Sequence, residues 1–140
     1  MDEAARRAIE WDCQQTILRF TAAFDVNDLD GMISNFDVNG VWKRPTGTVT
    51  GHKGLEELHA TRSTKIFVRH LIGNTRVAVV NENEAKAESY LIVFRHDSQE
   101  AMKFPLPMNV ELMGTYTDGL KRVGGRWVLS SRTALPLFKH

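Results

Sequence analysis

The sequence predicts one α+β domain, with N-terminal helices packed on a strongly curved, mainly antiparallel sheet that encloses an apolar pocket. Two observations lead to this fold class. Apolar residues recur at helical spacing near the N-terminus, whereas from Ile66 onward the chain reads as consecutive β-branched strands joined by turns. A chain of 140 residues is long enough for a substantial core, so we expect a single domain that spans residues 1–140.

Three helices are predicted. The first covers residues 3–24, where a buried stripe recurs at steps of three and four residues: Ile9, Cys13, Ile17, Phe20 and Phe24. A shorter helix follows the cap residue Asp28, and a third covers residues 53–62. Residues 37–40 read as a turn, and residues 41–50 as a short hairpin before the third helix.

Four long strands are predicted, at residues 66–80, 85–96, 108–121 and 126–133. On the first of them the parity of His70 differs from that of Val77, so we expect a bulge near Gly73. The inward face of the second carries small and aliphatic residues, namely Ala85, Ala87, Ser89, Leu91 and Val93. Small residues on the inner side of a curved sheet leave room for a pocket.

Charge and composition exclude several classes of function. The formal net charge is +1 without a basic run, so we expect neither nucleic acid nor a membrane as a partner. The single cysteine, Cys13, excludes an internal disulfide and favours a cytoplasmic protein. Residues 91–94 are apolar on both parities, so the sheet needs cover on both faces, and we expect a homo-oligomer, either dimer or trimer.

No cofactor or metal is expected. The chain has no Gly-rich phosphate loop, no nucleophile elbow and no CxxC pair. His52, Glu56 and His59 have the spacing of one helix face that can hold a metal, but such a set is more typical of a solvated face. We expect this face to lie in water, and we interpret Cys13 as a packing residue of the first helix.

Three polar residues are candidate catalytic groups. His70 interrupts an apolar strand face and is either a core histidine held by one hydrogen bond or a general acid or base. Asp25 ends the first helix, where aspartate also serves turn chemistry. Arg132 lies on the last strand and is either a surface arginine or an inward guanidinium that binds a leaving halide, an oxyanion or a carboxylate.

The pocket wall has its own candidates. We expect Phe24, Trp42, Leu91 and Met113 to shape the pocket and Ser89 to add a polar group to it. Tyr116 is a further aromatic candidate for the wall. Each of these residue types is also common in an ordinary core, so the pattern alone does not decide between the two roles.

Three stretches of the chain resemble the SnoaL-like branch of the nuclear-transport-factor-2-like superfamily. They are FDVNDLD at 24–30, RHLIGNTR at 69–76 and GRWVLSSR at 125–132. The first two are similar to stretches of the scytalone dehydratases, and together with the third they are similar to stretches of the hexachlorocyclohexane dehydrochlorinases. The resemblance covers nearly the whole chain and implies the cone-shaped fold of that superfamily.

The resemblance also implies roles for single residues. In those enzymes an aspartate at the end of the first helix pairs with a histidine that removes a proton, without a metal or organic cofactor. Asp25 and His70 match those two positions, and Arg132 matches the arginine of the dehydrochlorinases. Ser89 stands where the dehydratases have a second histidine, and Phe24 where they have a tyrosine, which weakens a dehydration that needs those donors.

The sequence therefore predicts a cofactor-independent lyase or isomerase that acts on a small, largely apolar substrate, cyclic compounds included. His70 would remove a proton, Asp25 would orient it, and Arg132 or Ser89 would assist the leaving group or oxyanion. The alternative is a non-catalytic ligand-binding or assembly module that resembles the β subunit of ring-hydroxylating dioxygenases. An Asp25–His70 hydrogen bond beside an open cavity favours the enzyme, whereas a filled cone favours the module.

Overall fold

The helices and strands follow the predicted order. The computed structural model describes all 140 residues, and its elements are α1 (Glu3–Asp25), α2 (Leu29–Ser34), β1 (Phe36–Arg44), β2 (Gly47–Thr50), α3 (Gly51–Thr61), β3 (Ile66–Asn81), β4 (Glu84–Asp97), β5 (Val110–Val123) and β6 (Arg126–Lys139). The predicted cap of α2 is present, because the Asp28 side chain accepts a hydrogen bond from the Gly31 amide at 3.1 Å.

The strands form one six-stranded sheet in the order β2-β1-β6-β5-β4-β3. Every neighbouring pair is antiparallel except β1 and β6, which are parallel. The sheet is curved and does not close into a barrel, and the N-terminal helices pack on its concave side. The predicted α+β class is therefore confirmed.

Two segments differ from the sequence-based expectation. Residues 37–40, expected as a turn, belong to β1, although the pairing register with β6 shifts between Phe36 and Val41. β6 continues past the expected end at residue 133 to Lys139, because it stays paired with β5 as far as Leu112. The apolar C-terminal residues thus form the last part of a paired strand and not a free tail.

The core lies between α1 and the inner face of the sheet. The predicted stripe of α1 is buried, with Cys13, Ile17 and Phe20 at 0% exposure. Ala85 and Ala87 of β4 belong to the same buried cluster as this stripe. The small inward residues of β4 therefore make room for the helix, and the cavity lies farther along the strand, beside Leu91 and Val93.

The predicted bulge in β3 is present and sets the direction of the residues before it. The register with β4 shifts between Gly73 and Arg76, and Asn74 has a φ of 52°, in the left-handed region that asparagine tolerates. His70 lies on the inward parity of the strand before this shift, three residues ahead of Gly73. The bulge thus separates the part of β3 that faces the cavity from the part that packs on the core.

The outer face of the sheet carries a row of apolar residues, one from each of the four long strands. Leu71 pairs with Ile92, Ile92 with Met113, and Met113 with Phe138. Phe138 is 71% exposed and Leu71 58% exposed, so nothing within the chain covers this outer apolar row. None of the helices is both long and apolar enough to cross a membrane.

Candidate active site

The end of α1 holds Asp25 in a fixed position. Asn27 has a φ of 55°, which reverses the chain after the helix, and the Asp28 amide donates to the carbonyl oxygen of Ala23 at 2.8 Å. Two basic side chains reach the last carbonyl oxygens of the helix. The Arg62 guanidinium donates to the Phe24 carbonyl, and Arg69 Nη1 donates to the Asp25 carbonyl at 3.3 Å. These bonds satisfy groups that a helix end leaves without intrahelical partners.

Asp25 and His70 form a buried pair. Asp25 Oδ1 lies 2.6 Å from His70 Nδ1, and Asp25 Oδ2 accepts a hydrogen bond from the His70 backbone amide at 2.9 Å. Each side chain is 8% exposed. Because the carboxylate accepts at Nδ1, the neutral imidazole carries its proton there, and Nε2 keeps a lone pair. One carboxylate therefore fixes the backbone, the ring orientation and the tautomer of His70.

A partly enclosed cavity of about 220 Å³ lies beside this histidine. Its wall is mostly apolar and includes Phe24, Trp42, Leu58, Val68, His70, Leu91, Val93, Leu112 and Tyr116. An apolar cavity of about 150 Å³ is enough to hold benzene, so this one accommodates a small ring compound. The Phe24 ring contacts the imidazole edge to face, with the centroids 5.6 Å apart.

Two half-buried guanidiniums share the cavity with His70. Arg44 lies 5.4 Å from the Phe24 centroid and 5.0 Å from that of Trp42, and Arg62 lies 4.0 Å from the Phe24 centroid. Burial lowers the pKa of both guanidiniums from their ordinary value. The charge of Arg95 lowers both pKa values further, whereas the charge of Asp25 raises the pKa of Arg62.

Tyr116 supplies a neutral hydroxyl to the cavity. Burial raises the pKa of Tyr116, and the charge of Arg132 works against this shift without cancelling it. Arg132 lies behind the ring, with its Cζ 3.9 Å from the ring centroid. The hydroxyl thus stays protonated over the physiological range and can donate a hydrogen bond.

Arg132 does not line the cavity. It is 1% exposed and forms a bidentate pair with Asp118, Nε to Oδ1 at 2.8 Å and Nη2 to Oδ2 at 3.0 Å. Asp118 and hydrogen bonding to it raise the Arg132 pKa against the opposing effect of burial. The expectation that this guanidinium meets a leaving group does not fit this geometry, because the carboxylate of Asp118 already occupies its fork.

Of the other expected pocket residues, Phe24, Trp42 and Leu91 line the cavity and two do not. Ser89 is 2% exposed and its hydroxyl lies 3.0 Å from that of Thr75, in the part of β4 that packs on the core. Met113 has the opposite strand parity to Tyr116 and belongs to the outer apolar row. Met113 therefore does not shape the pocket, because its strand parity directs it to the outer face of the sheet. Ser89 does not reach the pocket, because it lies too far along β4.

The sequence analysis did not identify Arg44 and Arg62 as residues of the cavity. Signals for both were present. Arg44 has the inward parity of Trp42 on β1, and Arg62 follows Leu55 and Leu58 at the spacing of the buried stripe of α3. Arginines at the end of a strand or helix usually lie in water, which hides such a signal.

The helix set considered for metal binding is dispersed. His52 Nε2 lies 2.5 Å from the Phe36 carbonyl oxygen, and both His52 and His59 are half-buried. Of the three residues expected to lie in water, only Glu56 is exposed. No three side chains of His, Cys, Asp or Glu are grouped so as to hold a metal ion.

A family model described as a SnoaL-like domain matches residues 5–133. The chain belongs to the SnoaL-like family. The comparison with curated proteins found no match. Membership is consistent with the placement of an aspartate and a histidine at one cavity, but this SnoaL-like fold hosts more than one chemistry, so the reaction has to be argued from the site.

Solved structures share the fold of this SnoaL-like chain. A candidate scytalone dehydratase from Novosphingobium aromaticivorans has a TM-score of 0.82 at 17% identity, over 99% of this chain and 91% of that one. Hexachlorocyclohexane dehydrochlorinase (LinA) type 2 has a TM-score of 0.79 at 15% identity, over 99% and 92%. A Mycobacterium tuberculosis protein of unknown function has a TM-score of 0.80 at 19% identity, over 97% and 76%. At these identities the likeness shows the fold alone, and it confirms the predicted nuclear-transport-factor-2-like architecture.

Proposed function

We propose that this protein is a cofactor-independent lyase or isomerase in which His70 removes a proton from a small, largely apolar substrate. The observation that carries the proposal is the contact of one carboxylate with both the ring and the backbone of a histidine that lines an apolar cavity. A histidine held in this way is poised as a base, because the carboxylate at Nδ1 leaves the Nε2 lone pair free to accept a proton.

The reaction begins at a carbon whose proton is made acidic by a neighbouring carbonyl or leaving group. Nε2 of His70 takes the proton, and the electron pair of the broken C–H bond forms a double bond. In an elimination the leaving group departs with its own bonding pair, whereas in an isomerisation the imidazolium returns the proton to another carbon. Asp25 stabilises the imidazolium, as a carboxylate does in other Asp–His pairs.

The rest of the cavity supports the same chemistry. Tyr116 offers a neutral donor to an oxygen or halide, and Phe24 with Trp42 gives apolar walls that exclude water. Arg132 acts behind Tyr116 as a positioning residue, because its guanidinium faces the ring and Asp118 and not the cavity. Names of similar structures include a dehydratase and a dehydrochlorinase, both of which are lyases.

Proton exchange tests the proposal without knowledge of the natural substrate. Elimination and isomerisation both start with removal of a proton, so we expect the protein to catalyse exchange of the α-protons of small cyclic ketones in D2O, followed by NMR. His70→Ala should lower this rate by about 10²–10⁴-fold. A chelator should leave the rate unchanged, since no metal takes part in the proposed step.

His96→Ala is the matched control. His96 lies on β4 but does not line the cavity, so its loss should leave exchange unaltered. Equal rates for His70→Ala and wild type, or no protein-dependent exchange across the ketones tested, would overturn the proposal. Ligand binding without exchange would instead favour the non-catalytic module.

A further inference from the structure

The cavity contains more positive charge than an apolar substrate requires. Arg44, Arg62, Arg95 and Lys139 line it, and Glu111 is the one carboxylate among the lining residues. The whole chain carries a formal net charge of only +1, so this local excess does not follow from overall composition. A concave surface with one sign of charge and apolar walls concentrates ligands of the opposite sign.

Three of these cations have no acidic partner within 4.0 Å, namely the exposed Lys139 and the half-buried Arg44 and Arg62. The contacts within 4.0 Å between basic and acidic side chains are Arg7–Glu3, His70–Asp25, Arg76–Glu88, Arg95–Asp97, Lys121–Asp37 and Arg132–Asp118. Arg44 and Arg62 belong to none of them, and Glu111 lies more than 4.0 Å from both, although all three line the same cavity. Elsewhere in the chain a buried guanidinium is neutralised, as Asp118 neutralises Arg132.

Half-burial without a carboxylate in direct contact is unfavourable for both guanidiniums. Burial is the main reason that both pKa values are lowered, and it outweighs the opposing effects of Tyr116 on Arg44 and of Asp25 on Arg62. Arg62 uses one N–H on the Phe24 carbonyl, while Arg44 has its Cζ over the faces of Phe24 and Trp42. A guanidinium has five N–H donors in a planar fork, so both keep donors for an incoming acceptor.

We propose that the substrate carries one anionic group, a carboxylate, which binds to Arg44 and Arg62 while the apolar part of the molecule lies against His70. The proposal rests on the proposed function only in taking this cavity as the substrate site. Phe24 is the common neighbour of the imidazole and both guanidiniums, so an anion and a reacting carbon separated by about one ring meet their partners together.

An anchored carboxylate would also orient the substrate for reaction. A small apolar molecule alone has several equivalent orientations in an apolar cavity, and few of them present the acidic C–H bond to Nε2. A fixed charge contact at one end selects among these orientations and supplies binding energy from a part of the substrate that does not react.

A matched pair of unreactive probes tests the inference. Phenylacetate and phenylacetamide have the same shape and differ in charge, and their dissociation constants can be measured by NMR titration. We expect the carboxylate to bind wild type at least about tenfold more tightly, the scale of one charge-assisted hydrogen bond. Equal affinities, a preference for the amide, or no carboxylate binding at millimolar concentration would overturn it, and the guanidiniums would then serve charge that forms only during reaction.

Variants locate the effect. Arg44→Met and Arg62→Met should each reduce phenylacetate affinity about tenfold and change phenylacetamide affinity less than about twofold. Arg44→Lys, which keeps the charge, should retain most of the carboxylate preference. Arg76→Met is the control, because Arg76 is exposed and paired with Glu88 outside the cavity. A carboxylate preference that survives both Met variants would overturn the assignment to Arg44 and Arg62.

The same titration separates this inference from the proposed reaction. Binding of phenylacetate needs no proton transfer, so its preference over phenylacetamide is measured in the wild-type protein independently of proton exchange. If that preference holds while proton exchange is never observed, the anion site stands and the catalytic proposal fails. The converse result, exchange without a preference for carboxylates, leaves the reaction and removes the anion site.

Discussion

Asp25→Asn replaces one carboxylate oxygen with an amide nitrogen and tests the pairing at the scale of single atoms. The carboxylate accepts two hydrogen bonds, from His70 Nδ1 at 2.6 Å and from the His70 backbone amide at 2.9 Å. An amide has one acceptor oxygen, so it can keep only one of these bonds. The backbone donor cannot change, whereas the ring tautomer can. The oxygen therefore stays with the backbone, and the amide nitrogen donates to Nδ1 and moves the ring proton to Nε2.

The cost in stability follows from this exchange. The variant keeps two hydrogen bonds but loses the charge that strengthens them, and it leaves no buried charge without a partner. Hydrogen bonds to charged groups contribute about 1.5–3 kcal/mol and neutral ones about 0.5–1.5 kcal/mol, so we expect a loss of about 2–3 kcal/mol for the two bonds together. His70→Ala should cost more, about 3–5 kcal/mol, because it leaves the Asp25 carboxylate buried at 8% side-chain exposure with only the backbone partner.

The cost in activity should be far larger than the cost in stability. A proton on Nε2 removes the lone pair that accepts the substrate proton, so Asp25→Asn should lower exchange by about 10²–10⁴-fold, as loss of the base does. Urea melts and the D2O exchange assay on both single variants and the double variant measure the two effects. Because the residues act as a unit, the double variant should be little slower than the slower single variant.

Two results would refute this reasoning. If Asp25→Asn keeps wild-type exchange, the tautomer of His70 does not matter and His70 is not the base. If Asp25→Asn lowers the free energy of unfolding by more than about 3 kcal/mol but binds a probe as tightly as wild type does, the pair mainly stabilises the fold. The alternative of a non-catalytic module would then gain support.

Four further outcomes are expected. Asp118→Ala should cost about 3–5 kcal/mol in urea melts because it leaves the buried Arg132 unpaired, whereas Glu88→Ala, in the exposed pair with Arg76, should cost at most about 1 kcal/mol; similar losses would contradict the structural role of Arg132. Burial raises the pKa of Cys13 from 9.0 to about 12, so stability should fall as pH rises through this interval, where only the unfolded thiol ionises, and Cys13→Ala should flatten the curve measured by melts across pH. Light scattering at micromolar concentration should give a multiple of 15.9 kDa, and Ile92→Lys in the outer apolar row should give the monomer; a wild-type mass of 15.9 kDa would contradict the expected oligomer. Tyr116→Phe should slow elimination of a hydroxyl group in an NMR assay more than it slows proton exchange, and equal effects would remove the donor role of this residue.

Local periodicity made much of the fold predictable. The period-two pattern of β4 correctly gave its inward residues, with Ala85 at 0% and Leu91 at 3% exposure, because parity depends on the strand alone. The parity change near Gly73 likewise gave the bulge that positions His70. The Asp25–His70 contact was not predictable from helix phase, since it depends on where β3 lies relative to the last residue of α1.

The partner of Arg132 shows what periodicity cannot supply. The hairpin at Gly124 and Gly125 sets the register of β5 and β6, and a register shift between Gly119 and Leu120 then places Asp118 opposite Arg132. Without that shift the hairpin register would place Ser131 opposite Asp118, and the arginine would have no carboxylate. A bulge of one residue, invisible in the sequence pattern, thus turns a candidate catalytic arginine into a buried ion pair.

Which reaction the site favours depends on its proton donors. Loss of a hydroxyl group needs a proton on the departing oxygen, whereas loss of a halide or movement of a double bond does not. Phe24 and Ser89 stand at positions where the resembling dehydratases have donors, and Ser89 does not reach the cavity. Of the hydroxyl-bearing side chains that line it, Thr46 is exposed and Tyr116 is buried beside Leu91 and Val93. We therefore expect Tyr116 as the hydroxyl donor in a dehydration, with the His70 imidazolium as the alternative donor. A Tyr116→Phe variant that retains exchange yet dehydrates no substrate would assign the donor role to Tyr116, whereas a variant that still dehydrates would assign it to the imidazolium.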